Sequence, residues 1–287
     1  MAKFLLTTEN TCDMPLDLLE TMGVGLLSLS CMMNGVVYDA FNELDPHEFF
    51  EQMRDGQMPT TSQVNPDQAE RFFRDCLREH DVILHLSFTS VLSGTYQSVM
   101  IAAQTLMEEM PEKKIILVDT LSASMGQGLM VHYAAKLRDE GKTAEEVAAW
   151  LEEHKQNFVH LVTVDDLNHL YRGGRVSRTA AVVGTMLSMK PILVINPEGR
   201  LVADGKVRGR KKALTELVDR METLIPGMEN EIVMISHGDC LEDVKFVCDE
   251  IKRRFGIENF LINTLGATIG AHAGPGTVAL FFLGQHR

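Results

Sequence analysis

Three stretches rich in small and hydroxyl-bearing side chains are where this chain has the means to do chemistry: Thr60-Thr61-Ser62-Gln63, Ser90-Val91-Leu92-Ser93-Gly94-Thr95-Tyr96-Gln97-Ser98 and Gly266-Ala267-Thr268-Ile269-Gly270-Ala271-His272-Ala273-Gly274-Pro275-Gly276. All three read as loops that offer hydroxyl and backbone N–H donors without a set of acid, base or metal-ligating residues beside them. An ionised oxygen taken out of water needs several directed donors in return. A carboxylate or phosphate is therefore the expected guest, and binding comes before catalysis. The second stretch stands between a predicted strand and a predicted helix over residues 96–107, where the helix dipole favours a negative group and α/β sheets place their ligands. A helix cap accounts for Ser93 alone but not for its neighbours, and Gly94 lets a ligand approach the backbone. Two rival readings stay open: Ser93 as the nucleophile of an acyl hydrolase or transferase with His272 as base, and a binding module for another small acid. The Gly-x-Ser-x-Gly elbow of many serine hydrolases is absent around Ser93.

Other motifs carry less. Asp119-Thr120-Leu121-Ser122-Ala123-Ser124-Met125-Gly126-Gln127-Gly128 makes a second strand-to-helix turn, without the Gly-x-x-x-x-Gly-Lys-Ser/Thr pattern of a phosphate loop. Tyr171-Arg172-Gly173-Gly174-Arg175-Val176-Ser177 ends one helix at paired glycines and caps the next with Ser177, leaving Arg172 and Arg175 to face a partner. Arg200, Lys206, Arg208, Arg210, Lys211 and Lys212 crowd into residues 200–212, either as a docking face for an acidic partner or as a solvated turn and helix start. His237 follows a strand and reads as structural, whereas the neighbours of His272 are small enough to admit a ligand.

The elements that must position these residues alternate along the chain. Apolar runs at residues 4–7, 26–29, 82–86 and 115–118 predict buried strands, with amphipathic helices between them. Asn65-Pro66-Asp67-Gln68 and Thr143-Ala144-Glu145-Glu146 are capped helix starts. Helical crossovers between strands imply parallel pairing, so residues 1–157 are expected to form a three-layer α/β/α domain. Residues 158–287 are expected to form a smaller two-layer α/β domain, with strands at 159–164, 191–195, 232–236 and 260–263 and helices at 213–224 and 242–255. Asn196-Pro197-Glu198-Gly199 turns one strand back on itself, which makes the second sheet mixed. The ligand cleft is expected between the two domains.

Composition narrows the classes. The 287 residues are 45% apolar and 23% charged, the balance of a globular chain long enough for two domains. A net charge of −13 argues against nucleic acid, whose binding draws on Lys and Arg. The five cysteines are scattered without a Cys-x-x-Cys pair, so neither a disulfide frame nor a metal site is expected. No apolar run approaches the roughly 20 residues of a membrane helix, and the N-terminus turns polar too early for a signal peptide. A cytoplasmic protein is expected.

Taken in order, Thr60-Thr61-Ser62-Gln63, Leu92-Ser93-Gly94-Thr95-Tyr96-Gln97-Ser98, Leu170-Tyr171-Arg172-Gly173-Gly174-Arg175-Val176-Ser177, Lys190-Pro191-Ile192-Leu193 and Gly270-Ala271-His272-Ala273-Gly274-Pro275-Gly276 resemble the DegV family over nearly the whole chain. The resemblance implies the two-domain fold, a bound palmitate-like long-chain fatty acid with no further cofactor, and service as the acyl-carrying subunit beside a separate ATP-dependent fatty acid kinase. It places Thr61 and Ser93 on the fatty-acid carboxylate, with His272 near the head group and Ser62, Gly94 and Thr95 in the same motifs. Arg172, Arg208 and Arg210 are the expected partner contacts, and transient membrane contact fits such a carrier. Glu9-Asn10 stands where the family commonly has Asp-Ser, and Phe88-Thr89 where small Ser or Thr residues are usual. Burying a tail of about 15 carbons at roughly 0.8 kcal/mol per methylene gives a gross drive near 12 kcal/mol. The head-group clamp is expected to consist of neutral donors without a matching arginine.

Overall fold

A computed structural model describes residues 4–42, 44–177 and 188–287. The first half runs β1 (Leu5–Glu9), α1 (Leu16–Thr21), β2 (Val24–Leu27), β3 (Ser30–Met33), β4 (Val36–Tyr38), α2 (Pro46–Arg54), β5 (Thr60–Ser62), α3 (Pro66–Cys76), β6 (Val82–Ser87), α4 (Thr95–Glu109), β7 (Lys114–Asp119), α5 (Met125–Asp139) and α6 (Ala144–His154). The second runs β8 (Phe158–Thr163), α7 (Asn168–Arg172), β9 (Met189–Ile195), β10 (Leu201–Arg208), α8 (Arg210–Leu224), β11 (Val233–His237), α9 (Leu241–Phe255), β12 (Phe260–Thr264), α10 (Ala267–Ala273) and β13 (Val278–Leu283). The helix that Ser177 was expected to cap falls on residues outside those described.

The expected parallel sheet forms in the order β2-β1-β6-β7, every pair parallel. A parallel sheet must be covered on both faces. Here α3 and α4 cover one face through Phe73, Val99, Ala102 and Leu106, and α5 and α6 cover the other through Leu129, Met130, Val147 and Leu151. Helices α3 and α6 start at capping boxes, with Asn65 and Gln68 in one and Thr143 and Glu146 in the other satisfying each other's backbone N–H groups. The second sheet has the order β10-β9-β8-β13-β11-β12 and is mixed: the β9–β10 hairpin is antiparallel and β11–β12 is parallel. Helices α8 and α9 cover its outer face through Leu217, Met221, Val247 and Ile251.

Helix α5 lies between the two sheets and packs on strands of both. Its first two turns, Met125 to Val131, are buried all the way round, whereas further along His132, Lys136 and Asp139 turn one side to solvent. Leu84 and Leu86 of the parallel sheet thus share one core with Met234 and Phe281 of the mixed sheet. Close approach depends on glycine: a Cβ on Gly126 would lie 2.0 Å from His160 Nε2, and one on Gly128 would lie 2.8 Å from the Cys12 carbonyl oxygen.

Three features depart from the sequence reading. Thr60-Thr61-Ser62 is a strand, β5, in a small antiparallel sheet of order β4-β3-β5, with Thr61 opposite Cys31. Three residues are too few to show a period of two. The glycine-rich segment after Gly266 is the helix α10, whose small residues let it pack closely on Phe49 and Phe50 of α2 at Gly270. Finally, β13 is an unexpected strand at the centre of the mixed sheet, hydrogen-bonded to β8 and β11 and buried at all six positions.

Candidate ligand-binding site

A cavity of about 420 Å³ lies at the carboxyl ends of the parallel strands and is lined by Thr61, Ser62, Ser93, Arg175 and His272 at one end. Leu29, Phe88, Leu92, Val162, Ile195, Leu201 and Phe281 supply much of the remaining wall. These side chains come from loops that follow the parallel strands, from the mixed sheet, from β5, from α10 and from the turn after α7, so only the folded chain assembles the cavity.

The loop that carries Ser93 is bolted down at its root. Glu9, fully buried at the end of β1, accepts hydrogen bonds from Ser87 Oγ at 2.6 Å, Phe88 N at 2.9 Å and Gln127 Nε2 at 2.7 Å, and its Oε1 lies 3.1 Å from His85 Nε2. A buried carboxylate is tolerable only with such a set of partners. Thr89 Oγ1 donates to the Gly199 carbonyl at 3.0 Å, which fastens the same loop to the turn between β9 and β10. Ser93 Oγ then accepts from Thr95 N at 3.2 Å and lies 3.0 Å from Thr95 Oγ1, while Thr95 Oγ1 accepts from Val64 N at 3.3 Å. Gly94 makes room for a different neighbour than expected, since a Cβ there would fall 2.3 Å from Gln63 Oε1.

Thr61 Oγ1 lies 2.7 Å from His272 Nε2. The imidazole fits because Gly173 has no side chain: a Cβ there would lie 2.1 Å from His272 Nδ1. Burial, aided by the nearby Arg175 guanidinium, pushes the His272 pKa down to about 4, so the ring is neutral at neutral pH. Ser93 bonds Thr95 and His272 bonds Thr61, so the described structure gives Ser93 no hydrogen-bonded histidine of the kind a nucleophile needs.

The expectation of a clamp without arginine needs correcting. Arg175 lines the cavity, its Nε donating to the Leu92 carbonyl at 3.2 Å and its Nη1 to the Gly173 carbonyl. Its partial burial lowers its own pKa. It was missed because Arg175 stands 82 positions beyond Ser93 in the sequence, and tertiary packing, with Arg175 bonded to the Leu92 carbonyl beside Ser93, brings them to one cavity. A second hollow of about 330 Å³ shares Thr61, Arg175 and His272 with the cavity and is also lined by Met58, His169 and Arg172. Arg172 Nη2 donates to His169 Nδ1 at 3.1 Å.

The remaining named residues lie elsewhere. Arg208 is exposed at the end of β10. Arg210 is half-buried, its Nε donating to Asp243 Oδ2 at 2.8 Å and its Nη1 lying 3.5 Å from Asp165. His237 is buried and accepts from Cys240 N at 3.2 Å, an arrangement that closes the turn after β11.

The chain matches the family described as "Uncharacterised protein, DegV family" over residues 3–285. It is 40% identical to a DegV domain-containing protein of Clostridium perfringens (strain 13 / Type A), with 99% of each chain covered. Among solved structures, that of a DegV family protein from Thermus thermophilus, described for its fatty acid binding, is 34% identical with a TM-score of 0.89, covering 98% of this chain and 99% of that one. DegV of Bacillus subtilis, described as a fatty acid binding protein, is 26% identical with a TM-score of 0.85, covering 99% of this chain and 100% of that one.

Proposed function

The chain belongs to the DegV family, and on that premise we propose that it is a long-chain fatty acid binding protein. The acyl tail occupies the apolar part of the cavity, and Thr61, Ser93 and His272 hold the carboxylate at its end. Ser62 lines the same end, while Gly94 and Thr95 do not line the cavity and instead hold the Ser93 loop from behind, Thr95 bonding Ser93 and Gly94 leaving room for Gln63. The observation that carries this reading is the meeting of hydroxyl donors and a neutral imidazole at one end of a largely apolar cavity of about 420 Å³. Relatives in Thermus thermophilus and Bacillus subtilis described as binding fatty acids support it.

The protein acts as a carrier for a separate ATP-dependent fatty acid kinase, which phosphorylates the presented carboxylate. The second hollow, sharing Thr61, Arg175 and His272 with the cavity, supports this reading, because it offers a route to the head group beside the cations of Arg172 and Arg175. Arg172, Arg208 and Arg210 contact the kinase. The chain works in the cytoplasm and supplies no phosphoryl chemistry, consistent with a sequence that lacks a phosphate loop.

The test is equilibrium displacement of a fluorescent fatty acid from the purified protein by hexadecanoic acid. Displacement at one site per chain is expected. A protein that takes up neither the probe nor the acid contradicts the proposal.

A further inference from the structure

One wall of the cavity has a hydroxyl with nothing to bond. Thr268 and His272 stand four residues apart on α10, hence on one face of the helix, and both line the cavity. Thr268 is only 8% exposed. The other buried threonines and serines among the described residues all have hydrogen-bond partners, as in Thr11 to Gln127 at 3.0 Å, Thr163 to the Pro191 carbonyl at 2.9 Å and Thr277 to the Ala273 carbonyl at 2.9 Å. Among the described residues, the Thr268 hydroxyl has none.

Its surroundings are suited to a polar guest. Helix α10 begins beside Asp13, whose Oδ1 accepts from Gly266 N at 3.0 Å and whose Oδ2 accepts from Ser124 Oγ at 2.5 Å. Ser124 and Thr11 line the same cavity as Thr268. Ser124 gives its proton to Asp13 and accepts from Ser236 Oγ at 2.8 Å, and Thr11 gives its proton to Gln127, so each oxygen keeps a lone pair that it can offer to the cavity. Thr268 can both donate and accept. A guest hydroxyl has the same dual capacity, whereas a methylene in that place leaves Thr268 unpaired away from water.

We propose that this wall is a hydroxyl-binding station, and that the cavity's preferred ligand is a fatty acid carrying a hydroxyl about one helical turn, roughly 5.4 Å, beyond its carboxylate. The inference rests on the reading of the cavity as a fatty-acid site, with the head group at Thr61, Ser93 and His272.

The experiment is a competition series in which hexadecanoic acid, and hexadecanoic acids hydroxylated singly at each of the first several carbons, displace the same fluorescent fatty acid. One position in the series is expected to bind roughly tenfold more tightly than the unsubstituted acid, as a site built around a ligand hydroxyl should. Thr268→Val, which keeps the shape of the side chain, returns that ratio to one, and Thr268→Ser retains it. Hydroxy acids that bind no better than the plain acid overturn the inference while leaving the fatty-acid reading intact. So does an advantage that survives Thr268→Val. Failure of every acid to bind overturns both.

Discussion

The Thr61 hydroxyl lies 2.7 Å from His272 Nε2, joining a three-residue strand to a seven-residue helix 211 positions further along the chain. The contact draws one side of their end of the cavity together. The other side, the Ser93 hydroxyl, is held by Thr95, and its loop is fixed at the root by the buried carboxylate of Glu9.

If Thr61 and Ser93 hold a carboxylate, removing both hydroxyls removes two hydrogen bonds to a charged group. Each is worth about 1.5–3 kcal/mol. Thr61→Val with Ser93→Ala should therefore weaken hexadecanoic acid binding by roughly a hundredfold or more, as read by fluorescent displacement. An affinity equal to that of the wild type would remove these residues from the clamp.

Two glycines make a paired prediction. Gly173→Ala drives a methyl group into the His272 ring, which is wedged between α7 and β5, and should cost about 1–3 kcal/mol in chemical unfolding while weakening fatty acid binding. Gly94→Ala meets only the end of the flexible Gln63 side chain and should be tolerated far better. Equal losses for the two variants would show that the fit of His272 against Gly173 is not what matters.

Stability should fall in mild acid. Burial holds His272 down to about 4, and also lowers His160 and His237 below their ordinary value of 6.5. Between those limits the unfolded chain binds protons that the folded chain refuses, so unfolding free energy rises with pH through the window and is lost as pH falls from 6.5 towards 4. The share from His272 is at most about 3 kcal/mol. Urea titrations at about pH 7 and about pH 5 should show the loss, and His272→Gln should reduce it. Equal midpoints at the two pH values would contradict the assignment.

The basic residues should separate by context. Arg172→Glu and Arg208→Glu alter exposed side chains and should lower acyl phosphate formation by an added fatty acid kinase while sparing the fold. Arg210→Glu breaks a half-buried pair with Asp243 and should also cost about 1–2 kcal/mol in unfolding. Kinase-dependent turnover unchanged in all three variants would remove this face from the partner contact.

Much of this arrangement was legible in the residues because its signals are local. Short apolar strands and capped helices reveal the parallel sheet, and the hydroxyl-rich runs around Thr61 and Ser93 mark stretches that line one cavity. Features set by distant packing were not. Val278–Leu283 is apolar at every position and buried on both faces, so it has no alternation to mark it as a strand. The helix over Ala267–Ala273 is interrupted in sequence by Gly270, whose missing side chain lets α10 pack on Phe49 and Phe50 of α2, and Gly173 looks like an ordinary turn until His272 is placed against it. Arg175 joins Thr61 and His272 at their end of the cavity only through tertiary packing.

The most direct measurement is native mass spectrometry of the protein purified without added lipid, followed by denaturation and identification of what is released. A mass increment matching one long-chain fatty acid per chain, with that acid recovered on extraction, is the expected result. A chain that carries no lipid and gains none when incubated with hexadecanoic acid would contradict the assignment of the cavity as a fatty-acid site.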